Sequence, residues 1–224
     1  MRVNAAKCHI MTIDRGRSTL THMYQLCNTF LSKVDAEKYL GVLLSDDLSW
    51  GPHISRTAVT ASQKLGFLKR NLKRCPSGLK RMAYVSVVRS GLEYASTIWD
   101  PHPVKHNNLL ENVQRKATRL LTSDYQRTSR VTRMLNTLQL EPLEDHRRAN
   151  RLTLLYKIIH ENVTVPMEKL DLQRNQRATR GPATQDRLLF ITRSNTTELK
   201  NHFSARTRPE WNKLTLHSPP PQLT

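Results

Sequence analysis

The chain has 224 residues, enough for one large domain or two small ones, and 38% of them are apolar, which predicts a folded protein with a modest core. Its 36 basic and 18 acidic residues leave a net charge of +18, so nucleic acid is the first partner to consider. Three widely spaced cysteines exclude a disulfide framework, and no apolar window approaches the roughly 20 residues of a membrane span. With no apolar signal core at the N-terminus, these features predict an intracellular protein of the cytoplasm, the nucleus or both.

Residues 1–50 have the short apolar runs that are typical of strands. Lys7–Ile13 alternates loosely, Tyr24–Phe30 is weaker, and Tyr39–Leu44 is the clearest strand. Arg15–Thr19 contains Gly16 and is predicted to be a hairpin loop between the first two. Because three strands cannot cover both faces of a sheet, this segment is interpreted as the edge of a larger one.

From residue 52 the apolar period becomes helical, with positions spaced by three or four residues over about five turns: Ile54, Ala58, Ala61, Leu65, Leu68 and Leu72. Ser49 or Pro52 is predicted to set the start of this helix. Ser77 is predicted to cap a second helix, and Asn107 to open a third. The second helix would bury Leu79, Met82, Ala83, Val87 and Leu92, and the third Leu109, Leu110, Val113, Ala117, Leu120 and Leu121. Residues 51–128 are therefore predicted to form a three-helix bundle.

Residues 129–217 are predicted to form a helical and partly irregular extension. Val131–Leu138 and Leu143–Ile159 are the expected helices, Leu188–Thr192 is a possible strand, and Phe203, Trp211 and Leu214 are apolar anchors. Residues 218–224, with three successive prolines, are predicted to be a disordered tail. The predicted fold class is α+β and mostly α, with short antiparallel strands followed by the three-helix bundle and a further helical C-terminal region.

No self-contained active site can be nominated from the motifs. Asp46 and Asp47 lie between a strand and a helix start with no third carboxylate in a neighbouring strand, which favours turn-forming or capping aspartates over metal ligands. The nine histidines and three cysteines have no zinc spacing, and no phosphate-binding glycine motif or nucleophile motif occurs. We therefore predict no catalytic residue, no metal ligand and no cofactor in this chain.

The functional groups that the sequence does indicate are its basic residues. Residues 51–128 contain 14 basic and 4 acidic residues, and most of the basic ones fall off the apolar stripes, which favours contact with phosphates. The nucleic-acid-binding residues predicted in this way are Lys64, Lys69, Arg70, Lys73, Arg74, Lys80, Arg81, Arg115, Lys116 and Arg119. Arg147, Arg148 and Arg151 form a second, weaker cluster. The alternative is a solvated face that only keeps the protein soluble.

The amino-acid sequences of four segments resemble the C-terminal half of reverse transcriptases from non-LTR (LINE-type) retrotransposons. These segments are KYLGVLLSDDLSWGPHI, KLGFLKRNLKRCP, AYVSVVRSGLEYASTIWDPH and LENVQRKATRLLTSDY, and a looser similarity extends over roughly residues 4–214. The resemblance implies that residues 1–50 are the end of a polymerase palm, with Lys7 at the lysine that commonly precedes a palm strand. Tyr39, Leu40 and Gly41 would lie in the primer grip, and residues 51–128 would form the thumb that holds an RNA–DNA hybrid or RNA duplex by its backbone.

The family's catalytic motif, an aromatic residue, an alanine and two aspartates, should precede NAAKCHIM, but the chain begins at Met1 instead. The resemblance therefore implies a truncated RNA-directed DNA polymerase that is not an enzyme on its own, although the intact family enzyme would use Mg²⁺. The missing polymerase half would be a further partner. The alternative function is a basic helical nucleic-acid-binding or protein-interaction module with no polymerase role.

Overall fold

The computed structural model describes residues 4–13, 22–126, 128–165, 170, 188–191 and 200–217. The chain is mostly helical, with a few short strands. It divides into two compact units: unit 1 contains Met1–Ala95 and Pro103–Leu140, and unit 2 contains Ser96–His102 and Glu141–Thr224. None of the described helices combines the length and the apolar character needed to cross a bilayer.

The strands of unit 1 pair two by two. After a 3-10 turn at Ala5–Lys7, β1 (His9–Ile10) pairs in parallel with β4 (Ser32–Lys33), and β2 (Gln25–Leu26) forms a hairpin with β3 (Thr29–Phe30). The parallel β1–β4 pair differs from the antiparallel pairing that was expected. The predicted loop at Arg15–Thr19 lies outside the described residues.

The prediction of a single strand over Tyr39–Leu44 is wrong, because the chain reverses direction within this range. The strands β5 (Ala36–Tyr39) and β6 (Val42–Ser45) form an antiparallel hairpin in which Tyr39 faces Val42. The two loop residues, Leu40 and Gly41, have φ angles of 46° and 87°. Two successive positive φ values match the twist of a two-residue hairpin loop, and glycine accepts such a value without strain. Leucine is not a residue type that indicates a turn, so the sequence predicted one continuous strand.

The helices of unit 1 pack around the predicted apolar stripe of the first one. Helix α1 (Gly51–Asn71) has Pro52 in its first turn and no side-chain cap from Ser49, and its stripe from Ile54 to Leu68 is buried. Helix α2 (Ser77–Ala83) continues through a π-helix (Tyr84–Arg89) into α3 (Ser90–Glu93), and α5 (Val104–Thr122) packs on α1 and α2. The third helix begins at Val104 rather than Asn107, because Pro103 supplies the extended N-cap residue. Helix α6 (Val131–Thr137) is a predicted helix, but it packs on α5 and belongs to unit 1 rather than to the separate extension predicted for residues 129–217.

The predicted apolar stripe of the second helix is wrong. Leu79, Met82 and Val87 are exposed and Ala83 is half-buried, so only Leu92 of the predicted positions is buried, and Lys80, Tyr84 and Val88 are buried in place of the others. Residues four apart share one face of a helix, so Lys80 of α2, Tyr84 and Val88 of the π-helix and Leu92 of α3 lie on a common buried side. Tyr84 donates its hydroxyl hydrogen to Gln114 Oε1 of α5 at 3.0 Å, and burial raises the pKa of Tyr84 above its ordinary value.

Unit 2 is built from α4 (Ser96–Trp99), α7 (Leu143–Ile159) and α8 (Phe203–His217), with α7 packing on both of the others. Leu155, Ile158 and Leu189 form its small described core, against which Phe203 and Trp211 pack. The backbone of Leu189 is bonded in both directions by the Asn212 side chain at 2.9 Å. Of the possible strand Leu188–Thr192, the structure describes residues 188–191, where Leu189 forms an isolated bridge.

Candidate nucleic-acid interface

Helices α1 and α5 lie side by side and run in the same direction. At their first turns Gly51 lies against the His106 ring, where a Cβ on the glycine would be 3.3 Å from Cε1. At their last turns the Lys69 ammonium lies 5.4 Å from the centre of the Tyr125 ring, three residues after α5 ends. The C-terminal ends of the two helices therefore meet at one end of unit 1.

This shared end collects most of the predicted basic residues. We call it the basic end and define it by the exposed residues Lys69, Arg70, Lys73, Arg74, Arg115 and Lys116, together with the half-buried Arg119. None of the ion pairs seen among the described residues involves these seven side chains. Cations at helix C-termini are also stabilised by the helix dipole, so their position has a structural reason as well.

Two of the residues at this end are partly engaged within the protein. Arg119 donates from Nη1 to the carbonyl oxygen of Gln126 at 2.8 Å. The Ser129 side chain and the Gln126 N–H hydrogen-bond to Asp124 and lower the pKa of that carboxyl, with a further contribution from Arg119. Lys69 has the cation–π contact with Tyr125, worth about 0.5–1 kcal/mol at an exposed site. Both contacts orient a cation without burying its charge.

Lys80 and Arg81 do not belong to the basic end. Lys80 is 7% exposed and donates to Ser123 Oγ at 3.2 Å, and Arg81 donates from Nε to the carbonyl oxygen of Leu138 at 2.8 Å. Ser123 and Leu138 are the residues at which α5 and α6 end. The two cations therefore donate hydrogen bonds to residues at helix ends rather than to solvent or a ligand. Lys80 lies in α2 one turn before the buried Tyr84, so it shares the buried face.

Lys64 belongs to a different side of α1. It follows the stripe residue Ala61 by three positions and lines a pocket with Lys38 and Arg56, two cations that were not predicted as site residues. Five residues separate Lys64 from Lys69, which is about 140° around the helix. The structure thus divides the predicted surface into the basic end and this pocket.

The weaker cluster predicted from Arg147, Arg148 and Arg151 is wrong as a solvent-facing surface. In unit 2 Arg147 Nε bonds Asp100 Oδ1 at 2.8 Å, and Arg151 pairs with both Asp100 and Glu210. Arg206 contacts the same Asp100 carboxylate at 3.2 Å. Only Arg148 is exposed, at 3.5 Å from Glu210. Arg147 and Arg151 can be buried here because the Asp100 and Glu210 carboxylates supply counter-charges, and the sequence spacing of α7 gave no sign of partners so far along the chain.

The primer-grip-like residues form the tip of the β5–β6 hairpin. Leu40 and Tyr39 are 74% and 65% exposed. Gly41 lies against the Tyr94 ring, whose hydroxyl donates to the Leu40 carbonyl oxygen at 2.9 Å. The hairpin tip is therefore held by a residue 54 positions away and presents two large apolar side chains to solvent.

The adjacent acidic pair has the predicted turn-forming role. Asp47 Oδ1 accepts the Ser49 N–H at 2.9 Å, and Asp46 Oδ1 accepts the Asp47 N–H at the same distance. Across the described ranges no group of three or more metal-ligating side chains is found. Comparison of the chain with protein-family models, curated proteins and solved structures found no match.

Proposed function

We propose that the chain holds double-stranded nucleic acid, an RNA–DNA hybrid or an RNA duplex, by its phosphate backbone at the basic end. The observation that carries this proposal is the meeting of two helix ends with six exposed lysines and arginines that take part in no ion pair between described residues. Such a cation set binds phosphates without reading bases, so affinity should depend on duplex shape and salt rather than on sequence.

In this proposal the β5–β6 hairpin corresponds to the primer grip and unit 1 to the end of a palm and a thumb of a LINE-type reverse transcriptase. The resemblance of residues 38–125 supports this assignment, as does the packing of the three helices that follow the hairpin. The chain would act as the template–primer-holding part of an RNA-directed DNA polymerase, with no polymerase activity of its own and with Mg²⁺ needed only by the catalytic half.

The test is the salt dependence of binding to a fluorescently labelled RNA–DNA hybrid. Replacing Lys69, Arg70, Lys73 and Arg74 with Ala should weaken binding and flatten the plot of log K against log salt concentration by about 0.7–0.9 per lost phosphate contact. The matched control replaces four exposed lysines elsewhere, Lys33, Lys105, Lys157 and Lys213, and removes the same charge. If both quadruple variants flatten the slope equally, binding depends on net charge alone and the basic end is not the interface.

The alternative, a protein-interaction module with no polymerase role, is favoured by one observation. Along α2 and the π-helix, four apolar side chains are between 38% and 67% exposed: Leu79, Met82, Val85 and Val87. This alternative predicts that heparin competes with the hybrid as well as an unlabelled hybrid of equal charge does. The duplex-holding proposal predicts that the hybrid competes better, because heparin lacks the A-form spacing of phosphates.

A further inference from the structure

A pocket of about 250 Å³ opens in unit 1 between the β5–β6 hairpin, the first half of α1 and the π-helix with α3. Its wall from the hairpin includes Lys38, and its wall from α1 includes Arg56 and Lys64. Two residues with hydroxyl groups, Thr57 and Thr60, also line it. This combination of cations and hydroxyl donors around a small cavity is the chemistry that binds oxyanions.

No acidic side chain occurs among the described residues that line the pocket, and Lys38, Arg56 and Lys64 take part in none of the ion pairs between such residues. The Lys64 ammonium lies close to Gly91, where a Cβ would be 3.5 Å from Nζ. All three cations are on exposed residues, and all three residues line the same cavity. Their mutual repulsion is unfavourable unless an anion occupies the space between them.

The walls of the pocket are fixed to one another by two hydrogen bonds. His53 Nδ1 of α1 accepts the backbone N–H of Leu43 in β6 at 3.2 Å. Tyr94 donates its hydroxyl hydrogen to the carbonyl oxygen of Leu40, at the hairpin tip. The strand that carries Lys38 is therefore held against the helix that carries Arg56 and Lys64, so an anion would not have to order these elements.

We propose that this pocket binds a single phosphate or diphosphate group. Its volume is below the 300–1,000 Å³ typical of pockets for drug-sized ligands, which favours a small anionic group over a larger molecule. The group could belong to a small phosphate compound or to the 5′ end of a strand, since both present the same oxygens. The inference does not rest on the function proposed for the basic end, because Lys64 and Lys69 lie on different sides of α1.

The first experiment titrates inorganic pyrophosphate into the full chain by calorimetry at constant ionic strength. We expect one saturable site, and about tenfold or greater weakening when Arg56 and Lys64 are both replaced by Gln, because each loses a charge-assisted hydrogen bond. The control, Lys33→Gln with Lys105→Gln, removes the same charge from exposed residues of unit 1 outside both the pocket and the basic end, and should bind pyrophosphate as the wild type does. Lys38→Gln, on the exposed hairpin strand, should weaken binding by itself and provides a test that leaves α1 unaltered.

The second experiment separates the two sources by comparing a single-stranded RNA with a 5′ phosphate and the same RNA with a 5′ hydroxyl. Tighter binding of the phosphorylated RNA that disappears in the Arg56→Gln, Lys64→Gln variant assigns the pocket to a strand end. Equal binding of the two RNAs, together with pyrophosphate binding that the pocket variant loses, assigns it to a small phosphate ligand. Equal weakening in the pocket and control variants, or no saturable binding of either probe, would overturn the proposal.

Discussion

At the scale of single residues, His53 shows how one side chain can join two elements of unit 1. It is buried at the second position after Gly51, the first residue of α1, and its Nδ1 accepts a hydrogen bond from the Leu43 N–H. A ring nitrogen that accepts must be unprotonated, so the folded state favours the neutral imidazole. Burial lowers the pKa of His53 below its ordinary value of 6.5, and the nearby Arg56 charge lowers it further.

This arrangement predicts that His53 makes the protein less stable in mild acid. Below pH 6.5 the unfolded chain binds a proton at this residue more readily than the folded chain does, so the free energy of unfolding should fall as the pH drops towards the lowered folded pKa. Urea unfolding at neutral pH and near pH 5 should show a smaller loss for His53→Asn, whose amide oxygen can accept the same bond without titrating. His160→Asn, at an exposed histidine, serves as the control. A pH dependence unchanged by His53→Asn would contradict this prediction.

At the scale of secondary-structure elements, unit 2 depends on a carboxylate placed directly after α4. Asp100 Oδ1 and Oδ2 accept from Arg147 and Arg151 of α7, and Arg206 of α8 donates to both the carboxylate and the backbone oxygen of Asp100. The side chains of Asp100 and Arg147 are 5% and 0% exposed. One acidic residue thus links α4, α7 and α8.

Replacing Asp100 with Asn should therefore destabilise the protein by about 3 kcal/mol, because it leaves buried guanidinium groups without their counter-charge. Arg148→Ala is the matched control, since its contact with Glu210 is half exposed and should contribute less than about 1 kcal/mol. Chemical unfolding of the two variants measures both values. A loss for Asp100→Asn no larger than that for Arg148→Ala would show that Glu210 alone neutralises the cluster.

Helix positions could be predicted from the sequence where apolar residues recur at regular helical spacing. The predictions of buried and exposed residues were wrong where the buried face was shifted or where a partner lies far away in the chain. The α1 stripe and the α6 and α7 positions follow from 3.6-residue spacing. On α2 and the π-helix the buried face runs through Lys80, Tyr84 and Val88, so Lys80 is buried although the sequence predicts exposure. Likewise, Asp100 lies 47 and 106 residues from Arg147 and Arg206, a separation that local periodicity cannot reveal.

The sequence predicted the residues of the basic end as binding residues, but it did not predict which residues lie together in the structure. Basic residues near the ends of α1 and α5 could be named from the sequence, but the parallel packing that joins them depends on contacts such as Lys69 with Tyr125. The pocket cations Lys38 and Arg56 gave no separate signal. Lys38 lies in a strand, and Arg56 stands alone among small and polar residues on α1.

At the scale of the whole molecule, a net charge of +18 opposes folding through self-repulsion. The melting temperature should therefore rise by a few degrees between about 20 mM and about 300 mM sodium chloride, as the screening length falls from roughly 20 Å to below 10 Å. The variant lacking Lys33, Lys105, Lys157 and Lys213 should show a smaller rise. A melting temperature that is constant or falls with salt would mean that the cations are already compensated within the fold.

The segment Ser96–His102 interrupts unit 1 in the sequence, and this order also constrains how the protein can fold during synthesis. This segment belongs to unit 2, although the chain returns to unit 1 for Pro103–Leu140. On the ribosome, Asp100 emerges well before Arg147, Arg151 and Arg206, so its carboxylate has to remain hydrated at least until α7 has been made, and its full set of partners forms only with α8. Unit 1 can close once Leu140 has left the exit tunnel, and unit 2 is then the later of the two to acquire its native ion pairs.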